Sequence, residues 1–177
     1  AEEFIEVGRR TEMRERGELV YYGGKQEFVR LGVFDDIDMS MMVHAGDDAH
    51  GRGFTVPAGG HAFRIFMLRH EGTQAHAAAS PHPGVNALYA AVAGINAVNA
   101  LRETFRDEDH IRVHYIITKG GDSVNSVPDD VRLEGYVRSG HIETLDETFM
   151  KIVPPFQARG AALGANTTAR RRAAHRP

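Results

Sequence analysis

The chain has 177 residues, room for one ordinary domain or for a domain and part of another, since domains most often run to about 100–150 residues. Apolar residues make up 42% and charged residues 25%, a globular balance that excludes wholesale disorder, collagen-like repetition and a coiled coil; no apolar run reaches the roughly 18 residues of a membrane span. The formal charge is −3 although Arg170, Arg171, Arg172 and Arg176 crowd the carboxyl end, so the body is more acidic than the whole.

In chain order, Phe4, Val7 and Met13 stand at loose helical intervals among Glu and Arg, and Gly17 is a stop signal, which predicts a helix over Glu2 to Arg16. Lys25 to Leu31 reads as a short amphipathic helix ended by Gly32. Asp38 to Val43 reads as a buried strand rich in methionine, and the glycine-rich stretch from His50 to Gly60 as a loop with one short strand at Phe54 to Val56 and a domain boundary. Beyond it, Ala62 to His70 alternates as a strand, and Gly84 to Phe105 carries Val85, Leu88, Val92, Ile95, Val98, Leu101 and Phe105 in steps of three or four, the stripe of an amphipathic helix. Ile111 to Thr118 and Val131 to Val137 are strand-like, with turn residues Lys119-Gly120-Gly121-Asp122 and Pro128-Asp129-Asp130 between them. Ile142 to Ala162 returns to helical spacing, with a break or kink expected at Pro154-Pro155.

Strand, helix, strand, strand, helix is the order of a ferredoxin-like βαββαβ sandwich without its last strand. The residues after Gly164 run Ala165-Asn166-Thr167-Thr168-Ala169 and then into arginines, with no alternating apolar face. The expected division is residues 1–60, residues 61–164 as the sandwich, and a basic, solvated tail over 165–177. That tail has no aromatic side chain to stack a base, so no nucleic-acid partner is expected. Nor is a membrane partner.

With zero cysteines, any metal must be held by His, Asp or Glu. Glu2 and Glu3 are, on residues alone, acids that suit the positive end of a helix dipole. His44 stands where a strand gives way to the loop Ala45-Gly46-Asp47-Asp48, a common place for ligands and equally for a plain surface histidine. His76 lies among small residues, Gly72-Thr73-Gln74-Ala75-His76-Ala77-Ala78-Ala79, which leave its imidazole open to a ligand or to another chain. Gly120-Gly121 with Asn125 fits a hairpin or the close approach of a ligand.

Taken in order, Ala1-Glu2-Glu3, then Gly32-Val33-Phe34-Asp35-Asp36-Ile37-Asp38 leading to Met42-Val43-His44, then Ala75-His76-Ala77-Ala78 with Pro81-His82-Pro83-Gly84-Val85-Asn86-Ala87, then Gly120-Gly121 through Asn125-Ser126-Val127-Pro128-Asp129 resemble the di-zinc aminoacylase and carboxypeptidase family of amidohydrolases. p-Aminobenzoyl-glutamate, hippurate and auxin-conjugate hydrolases belong to that family. The resemblance implies that residues 1–60 are part of an α/β zinc-hydrolase catalytic domain and that the sandwich is a lid that dimerises. It implies Glu2 as general base, Glu3 and His44 as metal ligands, and His76 as the lid histidine that polarises the scissile carbonyl in a partner's site. Asn86 and Asn125 become substrate-binding positions. The cofactor implied is zinc, two divalent ions that manganese or cobalt could replace. The implied reaction is cleavage of an amide in an N-acyl or N-aroyl amino acid or a dipeptide, by a cytoplasmic homodimer.

The family also needs an earlier His-x-Asp or Cys-x-His segment and a bridging acid before the glutamate pair, and a late histidine ligand in the second part of the catalytic domain after the lid; none of these is expected within this sequence. Two ligands fall short of the three that a catalytic zinc site normally takes from protein, so this chain is expected to be a fragment without turnover. The alternative is a non-catalytic dimerisation or binding module of ferredoxin-like fold.

Overall fold

The computed structural model describes residues 7–43, 53, 56 and 60–175. It divides the chain into two compact units, Ala1–Ala58 and Gly59–Pro177.

In the first unit, helix α1 spans Val7–Glu15 and helix α2 Gly24–Arg30. Both end the same way. Gly17 and Gly32 take positive φ, 74° and 71°, and the next residue's N–H reaches back to a carbonyl in the last turn, Glu18 to Met13 and Val33 to Phe28. This is the Schellman closure that a glycine permits without strain. Glu27 ties the segment between the helices, accepting from the Val20 and Tyr21 N–H groups while pairing with Arg30. The Arg30 hydrogen bond, helped by those two N–H groups, holds the Glu27 carboxyl below its ordinary value. Tyr22 is the one large apolar side chain buried among the described residues of this unit. The strand expected over Asp38–Val43 does not form: the segment joins no sheet, and Met39 and Met41 are 90% and 94% exposed. A strand is completed by a neighbour's main chain, and no described residue supplies one here. The short strand expected at Phe54 to Val56 lies mostly outside the described residues.

The second unit is a four-stranded sheet under two helices. Strands β1 (Ala62–Glu71), β2 (Arg112–Lys119), β3 (Asp130–Ser139) and β4 (Asn166–His175) are interleaved with helices α3 (Ala87–Ala100) and α4 (Ile142–Ala162). The sheet order is β2-β3-β1-β4 with every neighbouring pair antiparallel, the ferredoxin-like arrangement. β1 is central, running from Ala62 opposite Ser139 to Glu71 opposite Asp130 on one side, and from Phe63 opposite His175 to Glu71 opposite Asn166 on the other.

The fourth strand corrects the sequence reading, which ends the sandwich at Gly164 and makes 165–177 a solvated tail. β4 lacks an apolar face, but as an edge strand it is held by main-chain pairing along most of β1. Arg171 and the buried Arg64 of β1 also share the Asp146 carboxylate of α4, at 3.1 and 2.5 Å. Polar side chains on an edge strand also discourage pairing with stray chains.

Alternate residues of β1 face the helices, so Ala62, Phe66 and Leu68 join Val131, Leu133 and Val137 of β3 beneath Ala91, Val98, Leu145, Ile152 and Phe156. α3 is shorter than the stripe predicts. It begins at Ala87, where the Asn86 side chain accepts from the Tyr89 N–H, and gives way at Arg102–Thr104 to a 3-10 turn. α4 runs unbroken through Pro154 and Pro155. The carbonyls that lose a donor belong to Met150 and Lys151, both on the exposed side, so no buried acceptor is left without a partner there.

Candidate functional site

Past β1 the chain forms a loop that is stitched to the β2–β3 connection by main-chain bonds. Gly72 N–H donates to the Asp129 carbonyl at 2.7 Å, Val127 to Ala75 at 2.9 Å, Ala77 to Asn125 at 3.0 Å and Ala87 to Pro128 at 2.8 Å. This extends the β1–β3 pairing past the sheet and carries His76 and Asn125, 49 residues apart in sequence, to hydrogen-bond distance.

The His76 ring is exposed but held. Its Nδ1 accepts from the main-chain N–H groups of Ala79 at 2.9 Å and Ala78 at 3.3 Å. An acceptor at Nδ1 places the proton of the neutral ring on Nε2. Nε2 lies 3.3 Å from Asn125 Nδ2; the two ends of the amide are alike in shape, and turning it over puts its oxygen there to accept from Nε2–H, the arrangement that agrees with an accepting Nδ1. The outcome is a preset N–H donor at a loop surface, the geometry needed to stabilise a carbonyl oxygen that gains negative charge.

Of the other predicted residues, Asn86 lies at the root of the same loop, where its side chain caps α3. Glu2, Glu3 and His44 lie outside the described residues. Among the described residues there is no group of three or more His, Cys, Asp or Glu able to hold a metal ion. Those residues do not make up the zinc site that the resemblance implies.

Sequence reading missed two features beside the site. Asp130, at the start of β3, accepts from Arg132 at 2.7 Å and Arg69 at 2.8 Å, with Lys119 at 3.4 Å. Those guanidinium bonds hold its carboxyl well below the usual carboxylate range and clamp the ends of β1, β2 and β3 under the His76 loop. The turn string Pro128-Asp129-Asp130 marks the acid, but the register that brings Arg69 to it is a tertiary fact. The second is His70, fully buried on β1, with Nδ1 2.8 Å from the Thr167 hydroxyl and Nε2 without a partner. Burial pushes its pKa below the ordinary value. Its alternation with Leu68 and Phe66 was the available signal of an inward position.

No helix among the described residues is long and apolar enough to cross a membrane. The chain is 30% identical over 142 residues to the Xaa-Arg dipeptidase of Mus musculus, a match covering 80% of this chain and 31% of that protein. It is 34% identical over 146 residues to one of the subunits of p-aminobenzoyl-glutamate hydrolase from Escherichia coli (strain K12), covering 82% of this chain and 29% of that protein. The chain thus spans about three tenths of the length of these relatives. In fold it is similar to an aminobenzoyl-glutamate utilization protein from Klebsiella pneumoniae, with a TM-score of 0.58, 24% identity, and coverage of 85% of this chain and 38% of that one. Residues 63–162, which contain α3, α4, β2, β3 and the loop that presents His76, match the model of the peptidase dimerisation domain, and the chain belongs to that family.

Proposed function

We propose that the second unit is the lid and dimerisation part of an amidohydrolase that cleaves the amide of an N-acyl or N-aroyl amino acid or of a dipeptide, with His76 donating from Nε2 to the substrate carbonyl. One observation carries this reading: the two main-chain N–H groups on Nδ1 commit His76 to being a donor at Nε2. A histidine that only meets solvent has no need of a preset tautomer. The names of the relatives, a dipeptidase and an aminobenzoyl-glutamate hydrolase, support the substrate class. Asn125 positions the ring in the free state and is available to the substrate when the carbonyl takes over Nε2–H. Asn86, engaged with the helix end, acts in this proposal through the loop it anchors.

Self-association is proposed through the β2 edge, giving a homodimer. β2 has an unpaired side in the sheet order, and Ile116 and Ile117 on it are 65% and 41% exposed, an apolar edge of the kind that a second strand covers. Zinc, with Glu3 and His44 as ligands and Glu2 as the proton-accepting base, is proposed for the assembled enzyme. Two candidate ligands are too few for a closed site, so turnover by this chain alone is not expected.

The tautomer is tested by nitrogen NMR of the labelled chain near neutral pH. The expected His76 spectrum has an unprotonated Nδ1 and a protonated Nε2, and Ala79→Pro, which removes the shorter N–H donor, shifts population toward the other tautomer. A protonated Nδ1 in the unsubstituted chain overturns the assignment. Sedimentation across a concentration series tests the dimer, and Ile116→Lys is expected to favour monomer. A monomer at every concentration rejects the interface. Zinc titration by calorimetry, with Glu3→Ala as control, tests the ligand; equal heats remove Glu3 from the proposal.

A further inference from the structure

β1 runs directly into the His76 loop, and the last inward-facing residue of the strand is a histidine with no exposed surface, His70. Its Nδ1 lies 2.8 Å from the hydroxyl of Thr167, its register partner on β4, and Nε2 has no partner. The ring packs against Phe156, with 6.1 Å between centroids, and the Thr167 hydroxyl fills the space that a Cβ on Gly160 of α4 would take. One hydrogen bond thus pins the amino end of β4 to β1 over the last turns of α4.

The same residues close a ring of contacts around the root of the loop. Gly164, at φ 80°, turns the chain from α4 into β4, and both γ-methyl groups of Val85 lie 3.6 Å from the position of a Cβ on it. Val85 exchanges main-chain hydrogen bonds of 2.9 and 3.0 Å with Thr73, and its carbonyl occupies the room that a side chain on Gly72 would need. From Thr73 the chain passes to Ala75 and Ala77, whose bonds to Val127 and Asn125 seat His76. The path from His70 through Thr167, Gly164, Val85 and Thr73 returns to β1, so a shift of β4 at Thr167 disturbs the base of the loop.

A charged imidazole donates from both nitrogens. Nδ1–H has the Thr167 oxygen as acceptor, whereas Nε2–H has none. The neighbours of the ring are Val131 across on β3, Thr167 across on β4 and Phe156 from α4, and none of them titrates. Arg69, Glu71, Asp130 and Arg132 alternate to the other face of the sheet, Arg159 of α4 is exposed, and Asp129 precedes β3, where its carbonyl takes the Gly72 N–H. Burial accordingly lowers the proton affinity of the ring. We infer that His70 is a positioning residue for the His76 loop and that its protonation releases the loop. The neutral ring holds β4 and the loop base together; the charged ring leaves the interior, and the Thr167 and Gly164–Val85 contacts go with it. As pH falls below the ordinary imidazole range, His76 loses its fixed support while the core of the unit stays folded. The consequence for the carbonyl donor rests on the reading of His76 given above.

The test is amide hydrogen exchange of the full 177-residue chain, followed by NMR at about pH 7 and about pH 5 and expressed as protection relative to the free-peptide rate. The expected result is a loss of protection of about tenfold or more at the lower pH for the Thr73, Val85 and Val127 N–H groups, with the α3 amides around Ala91 losing less. His70→Gln keeps a donor and an acceptor for Thr167 but does not titrate, so its Thr73 and Val85 protection is expected to stay within about twofold. The other histidines are retained in that variant, so the difference between the two chains belongs to His70. An equal loss in both chains overturns the proposal, as does a loss at Thr73 and Val85 no larger than at Ala91, the mark of whole-unit destabilisation. If His70→Gln fails to fold, Thr167→Val, which removes the hydroxyl, takes its place: faster exchange at Thr73 and Val85 already at neutral pH is expected, and exchange like that of the unsubstituted chain overturns the proposal. A failed donor assignment shows in the His76 nitrogen spectrum and a failed latch in these exchange rates, so the two are told apart.

Discussion

The two units are built from one chain of ordinary composition, yet they bury their apolar residues to very different degrees. In the second, Phe66, Ala91, Val98, Val131, Leu145, Ile152 and Phe156 have no exposed surface at all. In the first, Phe28, Val29 and Leu31 are 48%, 66% and 59% exposed, and Met39 and Met41 after them 90% and 94%. Both have helices with proper ends, so local signals work equally well in each. The difference is a sheet. Helix propensity and glycine closure produce a helix, but most of its stability comes from a surface on which its apolar face rests, and among the described residues only the second unit has one.

The sharpest way to break this contrast is to empty the core. Phe156→Ala is expected to cost the second unit about 3–5 kcal/mol, the range for a large aromatic removed from a packed interior, whereas Phe28→Ala in the first unit should stay within about 0.5 kcal/mol. Urea unfolding followed by circular dichroism measures both; similar costs would mean that the first unit has a core of its own. Next in size is an addition. A Cβ on Gly135 would lie 2.4 Å from Cζ of Phe66 and 2.7 Å from the His114 carbonyl oxygen, so Gly135→Ala is expected to destabilise by about 1–3 kcal/mol through overpacking.

Asn86 offers a smaller and more discriminating change. Loss of the α3 cap in Asn86→Ala should cost about 1 kcal/mol, and Asn86→Asp should restore nearly all of it because aspartate caps as well. A pair of variants equal in stability would free Asn86 for a role other than capping.

The mildest effect near neutrality is the acid response of His70. Burial lowers its pKa in the folded state, so as pH falls through the ordinary imidazole range near 6.5 the unfolded chain takes up a proton before the folded one does. The second unit therefore loses stability as pH drops below that range, and His70→Gln should flatten the slope. Asp130 acts separately and at lower pH: its carboxyl is held ionised by Arg132 and Arg69, so its contribution is present above the ordinary carboxylate range and lost as pH falls below it. Denaturation midpoints measured between about pH 5 and 7 set the histidines apart from the carboxylates, which ordinarily titrate near 4; His114, also lowered by burial and by Arg138, acts in the same direction, so His70→Gln removes only the part of the slope that belongs to His70. An unchanged slope in His70→Gln would place the acid sensitivity elsewhere.

Much of the second unit was legible from residues alone because its elements carry period and punctuation together. The alternation of Ala62 to His70 matches β1 closely, and the stripe through Leu88, Ile95 and Val98 falls on α3, although that helix is shorter than the predicted span. His76 and Asn125 were legible as individual residues; that they meet was not, because the contact depends on the β1–β3 register and on main-chain bonds between two loops. The methionine segment failed for the opposite reason. Met39 to Met42 has the residue types of a buried strand, but burial is conferred by a neighbour.

By itself, then, the sequence determined where helices start and stop, which faces of β1, β3 and the two long helices are apolar, and the family to which the order of motifs points. Tertiary structure alone decided that Asn166–His175 is a strand, that Asp130 gathers Arg69 and Arg132, and that Arg112 and Arg138 stand opposite each other in the β2–β3 pair. The physical reason is range. Periodicity and capping are local interactions among residues a few positions apart, whereas an edge strand, a shared carboxylate and a cluster of like charges arise from hydrogen-bond register between segments far apart in the chain.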